Sequence, residues 1–364
     1  MSKYFLDKCA VIREAQNLSL PEDIIQQVSD YADFLEQNGH EEFFSMVLED
    51  FFTGGKLVNA PEMPEILSSF PGKEMLFLVL ALAAVPLAKE NFRTKNLPLS
   101  LLDEGLADIR IWCMDHLTNF GIPGLEWGHG LHWIFWRILT GQDLRFGRLE
   151  CNKGFSFMDV IALKNRKSGK IQLLYNGTAA LDKDGFITGD PEKICRHGVM
   201  AKKLFAEIVA LPIREDGSVA EKTETFFPDE WQGFLSPGDN VLSLHIPADG
   251  RMDIEECRKS LRRMKEFYAA DGYDFKAFVC STWFLDAAME KFAGSNSNMV
   301  KFGKLGMLLC PAAASTDVIR RVFGSGGIEG CRNKKSQLQK NLADHLTNGG
   351  IFRGGRIIID PQTI

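Results

Sequence analysis

A stretch in the second half of the chain has a pattern of apolar and polar positions that predicts a strand, a loop, a helix and a second strand. The apolar run 241–246 ends at Pro247 and at the turn pair Asp249-Gly250, which is typical of a buried strand followed by a tight loop. A second apolar run, 275–280, follows the helix, so the simplest arrangement of the two strands is parallel. In such units the ligand site lies where the first strand ends and the helix begins.

The helix between these strands is predicted to be amphipathic. Its apolar residues recur at intervals of three and four and are Ile254, Cys257, Leu261, Met264 and Phe267. Asp253 is followed three residues later by Glu256, which is the pattern of a capping box and predicts that the helix starts just after Asp253.

Helical periodicity runs through residues 1 to about 141. The predicted helices are one that has Pro21 in its first turn and ends at Gly39, one over 41–52, a buried run from Glu74, one over 99–120 and one over 125–139. The apolar run 75–87 is shorter than the roughly 20 residues that a membrane-spanning helix needs. It therefore predicts a helix buried inside the domain.

The last of these helices carries a group of aromatic residues with two interpretations. It contains Trp127, Trp133 and Trp136, and His129 and His132 are spaced three apart, as metal ligands on one helix face can be. Since no carboxylate or cysteine at a matching spacing completes such a set, an aromatic packing surface is the favoured interpretation.

After residue 141 the pattern changes from helical to strand-like. Short runs at 144–151, 155–164 and 171–175, separated by turn residues, predict an antiparallel meander, and another strand is expected near 206–213. The elements predicted beyond residue 284 are a helix at 285–292, a strand at 299–305, a glycine-rich flexible loop at 324–330, helices at 316–322 and 335–346, and a terminal hairpin of 351–353 and 356–359 around Gly354-Gly355.

The charge and cysteine content of the chain argue against some classes of binding partner and favour one type of compartment. The formal net charge is −6 and the basic residues are spread along the chain, which argues against nucleic acid and against an anionic membrane as partners. The eight cysteines form no CxxC pair, so the sequence predicts a reducing compartment and no zinc module. The N-terminus lacks the apolar core of a signal peptide, and we expect a cytoplasmic protein.

The order of elements after residue 142 is the one expected of the acyl-CoA N-acyltransferase (GNAT) fold. The sequence also resembles a bacterial acyltransferase-domain family at FGRL (146–149), PGD (237–239), VLSLHIPA (241–248), FVCSTWFLD (278–286), SN (297–298), RVFG (321–324), LQ (338–339) and DHL (344–346). The resemblance implies an α+β protein with a helical N-terminal domain, 1–141, and a GNAT-like domain, 142–364, in which helices flank a mixed, mostly antiparallel sheet.

The same resemblance implies a function. It implies transfer of an acyl group from a thioester, with acyl-CoA as co-substrate and no metal, to an amine of a small molecule or peptide. The oligomeric state stays open. A second hypothesis is a non-catalytic GNAT-like module that binds a ligand or a protein and has lost its coenzyme A loop.

Two residues are candidates for the base that takes the amine proton. His245 ends the central strand on the same face as Val241 and Ser243, and histidine titrates near neutral pH. The other interpretation of His245 is structural, a half-buried ring bonded to a backbone carbonyl. Glu150 is the second candidate, on a strand of the meander, and a solvated strand face is its alternative location.

The loop after the central strand supplies the predicted cofactor-binding residues, Ala248, Gly250 and Arg251. The loop has one glycine, whereas the typical coenzyme A loop is glycine-rich. Negative charge at a helix start repels phosphate, and the carboxylates that crowd this one are Asp249, Asp253, Glu255 and Glu256. The loop is therefore the main argument for the non-catalytic module.

Residues at the end of the second strand complete the candidate site. Ser281 and Trp283 are predicted to bind substrate, since a tryptophan here could cover an acyl chain or a pantetheine arm. A core position is the alternative for Trp283. Cys280 is a candidate nucleophile for a thiol hydrolase, but a buried structural thiol is the favoured interpretation because no His partner can be placed beside it.

Overall fold

A computed structural model describes residues 5–53, 67, 70–309, 317–324, 326–330 and 336–364, without the side chains of residues 128, 129, 317 and 330. The predicted helix starts at 316 and 335, together with Cys310 and Cys331, lie outside this part of the chain. The chain forms two compact units, of which the first comprises Met1–Phe146 and Pro247–Asp249 and the second Gly147–Ile246 and Gly250–Ile364.

The first unit is helical. Its helices are α1 (Lys8–Asn17), α2 (Glu22–Gln37), α3 (Glu41–Thr53), α4 (Lys73–Thr94), α5 (Leu99–Gly105) and α6 (Ala107–Phe120). Two π-helical turns, Trp127–His132 and Ile134–Leu139, and the short strand β1 (Leu144–Phe146) follow.

Most of the predicted helices of the first unit are confirmed, with one correction. Gly39 has a φ of 69° directly after α2, as expected of a glycine that ends a helix. The single helix predicted over 99–120 is wrong, because the chain breaks into α5 and α6 at Leu106, next to the poor helix former Gly105.

Helix α4 is long and apolar enough to cross a membrane by length and composition. However, 72% of its most apolar window is buried inside the structure, and core helices of folded domains pass the same test. The apolar run from Met75 to Val85 is buried almost without interruption, in agreement with the predicted core helix.

The second unit contains two large sheets and a two-stranded sheet. Its strands are β2 (Leu149–Phe155), β3 (Val160–Asn165), β4 (Ile171–Tyr175), β5 (Ala180–Leu181), β6 (Arg196–His197), β7 (Lys202–Leu204), β8 (Glu207–Pro212), β9 (Glu224–Phe226), β10 (Trp231–Leu235), β11 (Asn240–His245), β12 (Ala277–Thr282), β13 (Met307–Leu309) and β14 (Gly355–Ile359). We call the sheet with the order β2–β11–β12–β14–β13 the main sheet and the one with the order β10–β3–β4–β8–β7 the second sheet. The α+β class is therefore confirmed.

The predicted strand–helix–strand unit is confirmed. Strands β11 and β12 are parallel, and α7 (Ile254–Ala270) connects them. The Asp253 side chain caps α7 by accepting hydrogen bonds from the amides of Glu255 and Glu256. Only this half of the predicted capping box is seen, because the Glu256 carboxylate contacts Lys259 Nζ at 2.6 Å.

The apolar core of the second unit lies between the two sheets. Side chains from β3, β4 and β8 of the second sheet pack against those from β11, β12, β13 and β14 of the main sheet. The main-sheet residues in this core are Val241, Ala277, Val279, Leu309 and Ile358. We call the face of the main sheet that carries them the inner face; because side chains alternate along a strand, every second residue of each strand lies on it.

Four predictions for the second unit are wrong. Residues 149–175 are not one meander, because β2 joins the main sheet whereas β3 and β4 join the second. Residues 299–305, predicted as a strand, are mostly helical, since α9 (Asn298–Gly303) starts after the Ser297 cap and the strand β13 comes later. The prediction failed because a short apolar run does not distinguish a strand from a helix.

The remaining two errors concern glycine-rich segments. The predicted terminal hairpin does not form, because β14 pairs with β12 and β13 instead of with residues 351–353. Gly327–Gly330, predicted as loop, is a helical turn, α11. The other helices of this part of the described chain are α8 (Met289–Ala293), α10 (Asp317–Phe323) and α12 (Gln337–Thr347).

Candidate functional site

The two parallel strands β11 and β12 separate at their carboxyl ends. Their pairing ends at Leu244 and Cys280. Beyond this point β11 still pairs with β2, and β12 still pairs with β14 as far as Thr282. The main sheet therefore opens between His245 and Ser281, where main-chain groups of the two strands must be satisfied by something other than each other.

A row of polar side chains crosses the inner face of the main sheet at this opening. His245 faces Glu150 of β2, and Ser281 faces Arg356 of β14. His245 and Ser281 occupy the positions that would pair if the register of β11 and β12 continued. We call Glu150, His245, Ser281 and Arg356 the polar row; Ser281 is the exposed member.

The structure brings the two predicted bases together. His245 and Glu150 are cross-strand neighbours, and such neighbours have Cβ atoms about 4.5–5.5 Å apart. Glu150 is only 2% exposed, so the alternative of a solvated strand face is wrong. His245 is half-buried, and its Nε2 lies 3.2 Å from Oδ1 of Asn152, a contact that the sequence analysis did not foresee.

This arrangement suits proton transfer. A carboxylate beside an imidazole stabilises the imidazolium that forms when the histidine takes a proton. The amide of Asn152 restricts the orientation of the ring, as a second residue commonly does for a general base. The end of β11 therefore combines a half-buried base, a buried carboxylate and an opening in the sheet that exposes Ser281.

The predicted cofactor loop is held by an arginine. Ala248, Gly250 and Arg251 are exposed. The Arg148 guanidinium donates to the carbonyl oxygens of Gly250 and Arg251, each at 2.9 Å. The main chain of the loop is thus fixed, whereas the Arg251 side chain extends to solvent as a cation at the start of α7.

The acidic residues around this loop have partners that change their expected effect. Asp253 caps α7, and the three ion pairs are Asp249 with Arg145, Glu255 with Arg258 at 3.8 Å and Glu256 with Lys259 at 2.6 Å. Since three of the four carboxylates lie beside a cation, the repulsion that the sequence predicts for a phosphate is weakened.

Cys280 lies on the face of the sheet opposite to the polar row. It pairs with Leu244 and Ile357, which alternate with the polar-row positions along their strands. Burial raises the pKa of the Cys280 thiol to about 12, and Cys257 of α7 acts in the same direction. A thiol of this kind is a poor nucleophile at neutral pH, which agrees with a structural role.

Trp283 lies just past the end of β12 in an aromatic cluster. Its ring is edge-on to Phe284, with centroids 5.6 Å apart, and lies 6.5 Å from Phe352. The side chain is half-buried. These contacts agree with the packing alternative, and the structure does not bring Trp283 into the polar row.

A cavity of about 440 Å³ lies elsewhere in the second unit. Its walls come from β4, β13, α8, α9 and the segments 213–215 and 284–287. Ile171, Leu173 and Met307 of its lining also belong to, or pack against, the apolar core between the sheets. The cavity lining contains no member of the polar row.

His132, one of the two histidines considered as metal ligands, lies among aromatic rings. His132 lies between Trp127 and Trp136, with centroids 5.9 and 5.8 Å away, and burial lowers its pKa. The side chain of His129 is outside the described residues. No group of three His, Cys, Asp or Glu side chains suited to a metal occurs in the described part of the chain.

Sequence reasoning missed three residues at the site, namely Asn152, Asp159 and Arg356. Arg356 was predicted only as part of a terminal strand. An arginine in the otherwise apolar run Arg-Ile-Ile-Ile was the available signal, because a charge on a buried strand needs a partner. That partner is Asp159, which is 197 residues away in sequence.

Comparison with known proteins identifies both parts of the chain. Residues 12–141 match the model of the N-acyltransferase N-terminal domain, and residues 144–357 match that of the GNAT-like C-terminal domain. No curated protein matches the sequence.

Two solved structures share the fold at low sequence identity. One is an acyltransferase mutant in complex with octanoyl-CoA, at 14% identity, and the other an acyltransferase in complex with decanoyl-CoA and teicoplanin, at 16% identity. Each aligns with 95% of this chain and 86% of its own, with a TM-score of 0.59. The GNAT-like fold is therefore confirmed, and the chain belongs to the acyltransferase-domain family that joins an N-acyltransferase N-terminal domain to a GNAT-like C-terminal domain.

Proposed function

We propose that this protein is an N-acyltransferase that moves an acyl group from a coenzyme A thioester to an amine of a small molecule or peptide. The observation that carries the proposal is the polar row at the point where β11 and β12 separate. An opening between two strands offers main-chain groups to a thioester arm, and the row places a base beside it.

In the proposed reaction the amine nitrogen attacks the thioester carbonyl carbon, so that a C–N bond forms while the C–S bond breaks. His245 takes the proton that the amine loses and passes it to the departing thiolate. Glu150 stabilises the imidazolium between these two steps. Ser281, exposed at the opening, contacts the acyl donor.

In this proposal, the loop after β11 binds the diphosphate of coenzyme A. Arg251 is the exposed cation, and Ala248 and Gly250 allow a ligand to approach the main chain closely. The Asp253 cap already uses two amides of α7, so the helix start contributes less than an uncapped one would. We expect the phosphate contacts to be modest.

The structural relatives support a coenzyme A thioester as donor, because they are complexes with octanoyl-CoA and decanoyl-CoA. The presence of teicoplanin in one of them supports a small molecule or peptide as acceptor. We also propose a cytoplasmic location, which the six free cysteines of the described chain support.

Binding and turnover together test the proposal. A thermal-shift titration with coenzyme A and octanoyl-CoA should show stabilisation, about 2.7 kcal/mol when the ligand is at 100 times its dissociation constant. Release of the free thiol of coenzyme A should then require an added amine. Stabilisation without thiol release on any amine of a broad panel contradicts the proposed acyl transfer, and no stabilisation by either ligand favours the non-catalytic module that has lost its coenzyme A loop.

A further inference from the structure

Arg356 stands at an unusual place for a charged residue. It lies on β14 on the inner face of the main sheet, facing Ser281 of β12 on one side and Leu309 of β13 on the other. The next residue of β14 on the same face, Ile358, is fully buried in the apolar core. A guanidinium in this position is costly unless it is paired.

The pairing of Arg356 with Asp159 leaves one of its three nitrogens without an acceptor in the described part of the chain. Its Nη1 and Nη2 atoms donate to the two carboxylate oxygens of Asp159, each at 2.8 Å, and the guanidinium lies 4.6 Å from the ring centre of Phe157. Burial would raise the pKa of Asp159, but the hydrogen bond and charge of Arg356 lower it overall. The pair is therefore ionised and has no net charge.

The third nitrogen of this guanidinium has different surroundings. The Nε atom of Arg356 is buried and has no hydrogen-bond partner among the described residues. Buried N–H groups are almost always satisfied in native proteins, so one that is not calls for an explanation, and a functional role is one of those known. This N–H is rigidly placed, because the Asp159 fork fixes the plane of the guanidinium.

We infer that Arg356 is a binding residue for the acyl donor and that its Nε–H donates to a carbonyl oxygen of the coenzyme A thioester next to Ser281. This inference rests on the proposed function. A neutral carbonyl fits better than a phosphate, because the Arg356–Asp159 pair has no net charge and its nitrogen without an acceptor, Nε, carries a single N–H. The carbonyl belongs either to the thioester itself or to an amide of the pantetheine arm.

The chain supplies a matched control in Arg353. Its Nη2 contacts Asp182 at 2.9 Å and its guanidinium lies 4.6 Å from the ring of Phe186, so it repeats the ion pair and the aromatic contact of Arg356. The two side chains are similarly buried, at 20% and 15% exposed. Arg353 precedes β14 and is not part of the polar row.

The test compares Arg356→Lys, Arg353→Lys and Asp159→Asn by isothermal titration with octanoyl-CoA and free coenzyme A, alongside melting temperatures. Arg356→Lys should weaken octanoyl-CoA binding about tenfold to a hundredfold, the range for a hydrogen bond from a charged donor. Arg353→Lys should stay within about twofold. Asp159→Asn keeps the Nε–H, so it should lose less affinity than Arg356→Lys even where it lowers the melting temperature as much.

Free coenzyme A separates the two carbonyls. If the thioester carbonyl is the acceptor, Arg356→Lys weakens octanoyl-CoA and leaves free coenzyme A unchanged; if a pantetheine amide is the acceptor, both weaken equally. Two outcomes overturn this inference and leave the proposed function standing. One is that the affinity losses of the three variants simply follow their melting temperatures, and the other is that Arg356→Lys binds with unchanged affinity. A wild-type protein that binds neither ligand overturns the proposed function and this inference with it.

Discussion

The two faces of the main sheet have different chemistry although they belong to the same strands. At the carboxyl ends of β11 and β12 the inner face carries His245 and Ser281, one half-buried and one exposed. The opposite face carries Leu244 and Cys280, each 2% exposed. Alternation along a strand thus places candidate chemistry and core packing one residue apart.

Because the two faces differ in this way, substitutions on them separate an effect on activity from an effect on stability. A change at His245 or Ser281 on the inner face alters groups that reach solvent or a ligand, so its cost to folding is small. A change one residue away on the opposite face alters a packed core, where lost contacts are not replaced by water. Two of the predictions below use adjacent positions that lie on opposite faces.

The largest expected effect is on turnover. His245→Ala should lower turnover 10²- to 10⁴-fold, the range for loss of a general base, with little change in melting temperature. Leu244→Ala, its neighbour on the opposite face, should instead cost about 2–5 kcal/mol of stability. Steady-state rates and thermal melts of both variants measure this. A large fall in the melting temperature of His245→Ala with unchanged specific activity would show that the histidine is structural.

Thiol reactivity gives the next largest contrast. A rise of the pKa of Cys280 from 9.0 to about 12 lowers its thiolate fraction at neutral pH about a thousandfold. Iodoacetamide should therefore label the exposed Cys9 and Cys195 of the folded protein and leave Cys280 unmodified, as peptide mass mapping would show. Early labelling of Cys280 accompanied by loss of activity would revive the nucleophile hypothesis.

The adjacent residues Cys280 and Ser281 test whether the two faces differ in their contribution to stability. Cys280→Ser places a hydroxyl in a buried apolar environment and should cost about 1–3 kcal/mol of stability in denaturant melts. Ser281→Ala, one residue later on the inner face, should change stability by less than about 0.5 kcal/mol because the side chain is exposed. Equal costs at the two positions would mean that the faces do not differ in packing.

The smallest effect is expected at the start of α7. Asp253→Ser keeps a capping oxygen but removes a charge, so coenzyme A should bind more tightly by about 0.3–1 kcal/mol. Glu266→Ser removes an exposed charge near the other end of the same helix and should leave the affinity unchanged. Isothermal titration measures both. If the wild-type protein binds coenzyme A tightly and Asp253→Ser abolishes this binding, the Asp253 carboxylate itself contacts the ligand.

The sequence predicts this site in part, because some of its determinants are local. The apolar run of β11, the turn after it and the spacing of α7 fixed the position of His245, and the end of β12 fixed Ser281. The capping role of Asp253 follows from its spacing to Glu256, although only half of the capping box forms.

The rest depends on which strands become neighbours, and that is a long-range property. Glu150 is buried beside His245 because β2 pairs with β11, and Arg356 joins the row because β14 inserts between β12 and β13. Local turn chemistry around Gly354 favours a hairpin that does not form, because β14 pairs with β12 and β13, where Ile357, Ile358 and Ile359 are fully buried. The partner of Arg356, Asp159, lies on a segment that no local pattern connects with β14.

The most direct test of the account is where the acyl donor binds. Ser281→Trp fills the opening between β11 and β12 at an exposed position, and Ala287→Trp fills the 440 Å³ cavity at another exposed position. Isothermal titration with octanoyl-CoA should show at least a tenfold loss of affinity for Ser281→Trp and less than about a twofold change for Ala287→Trp. The reverse result, with Ser281→Trp unaffected and Ala287→Trp weakened, would contradict the account and place the donor in the cavity.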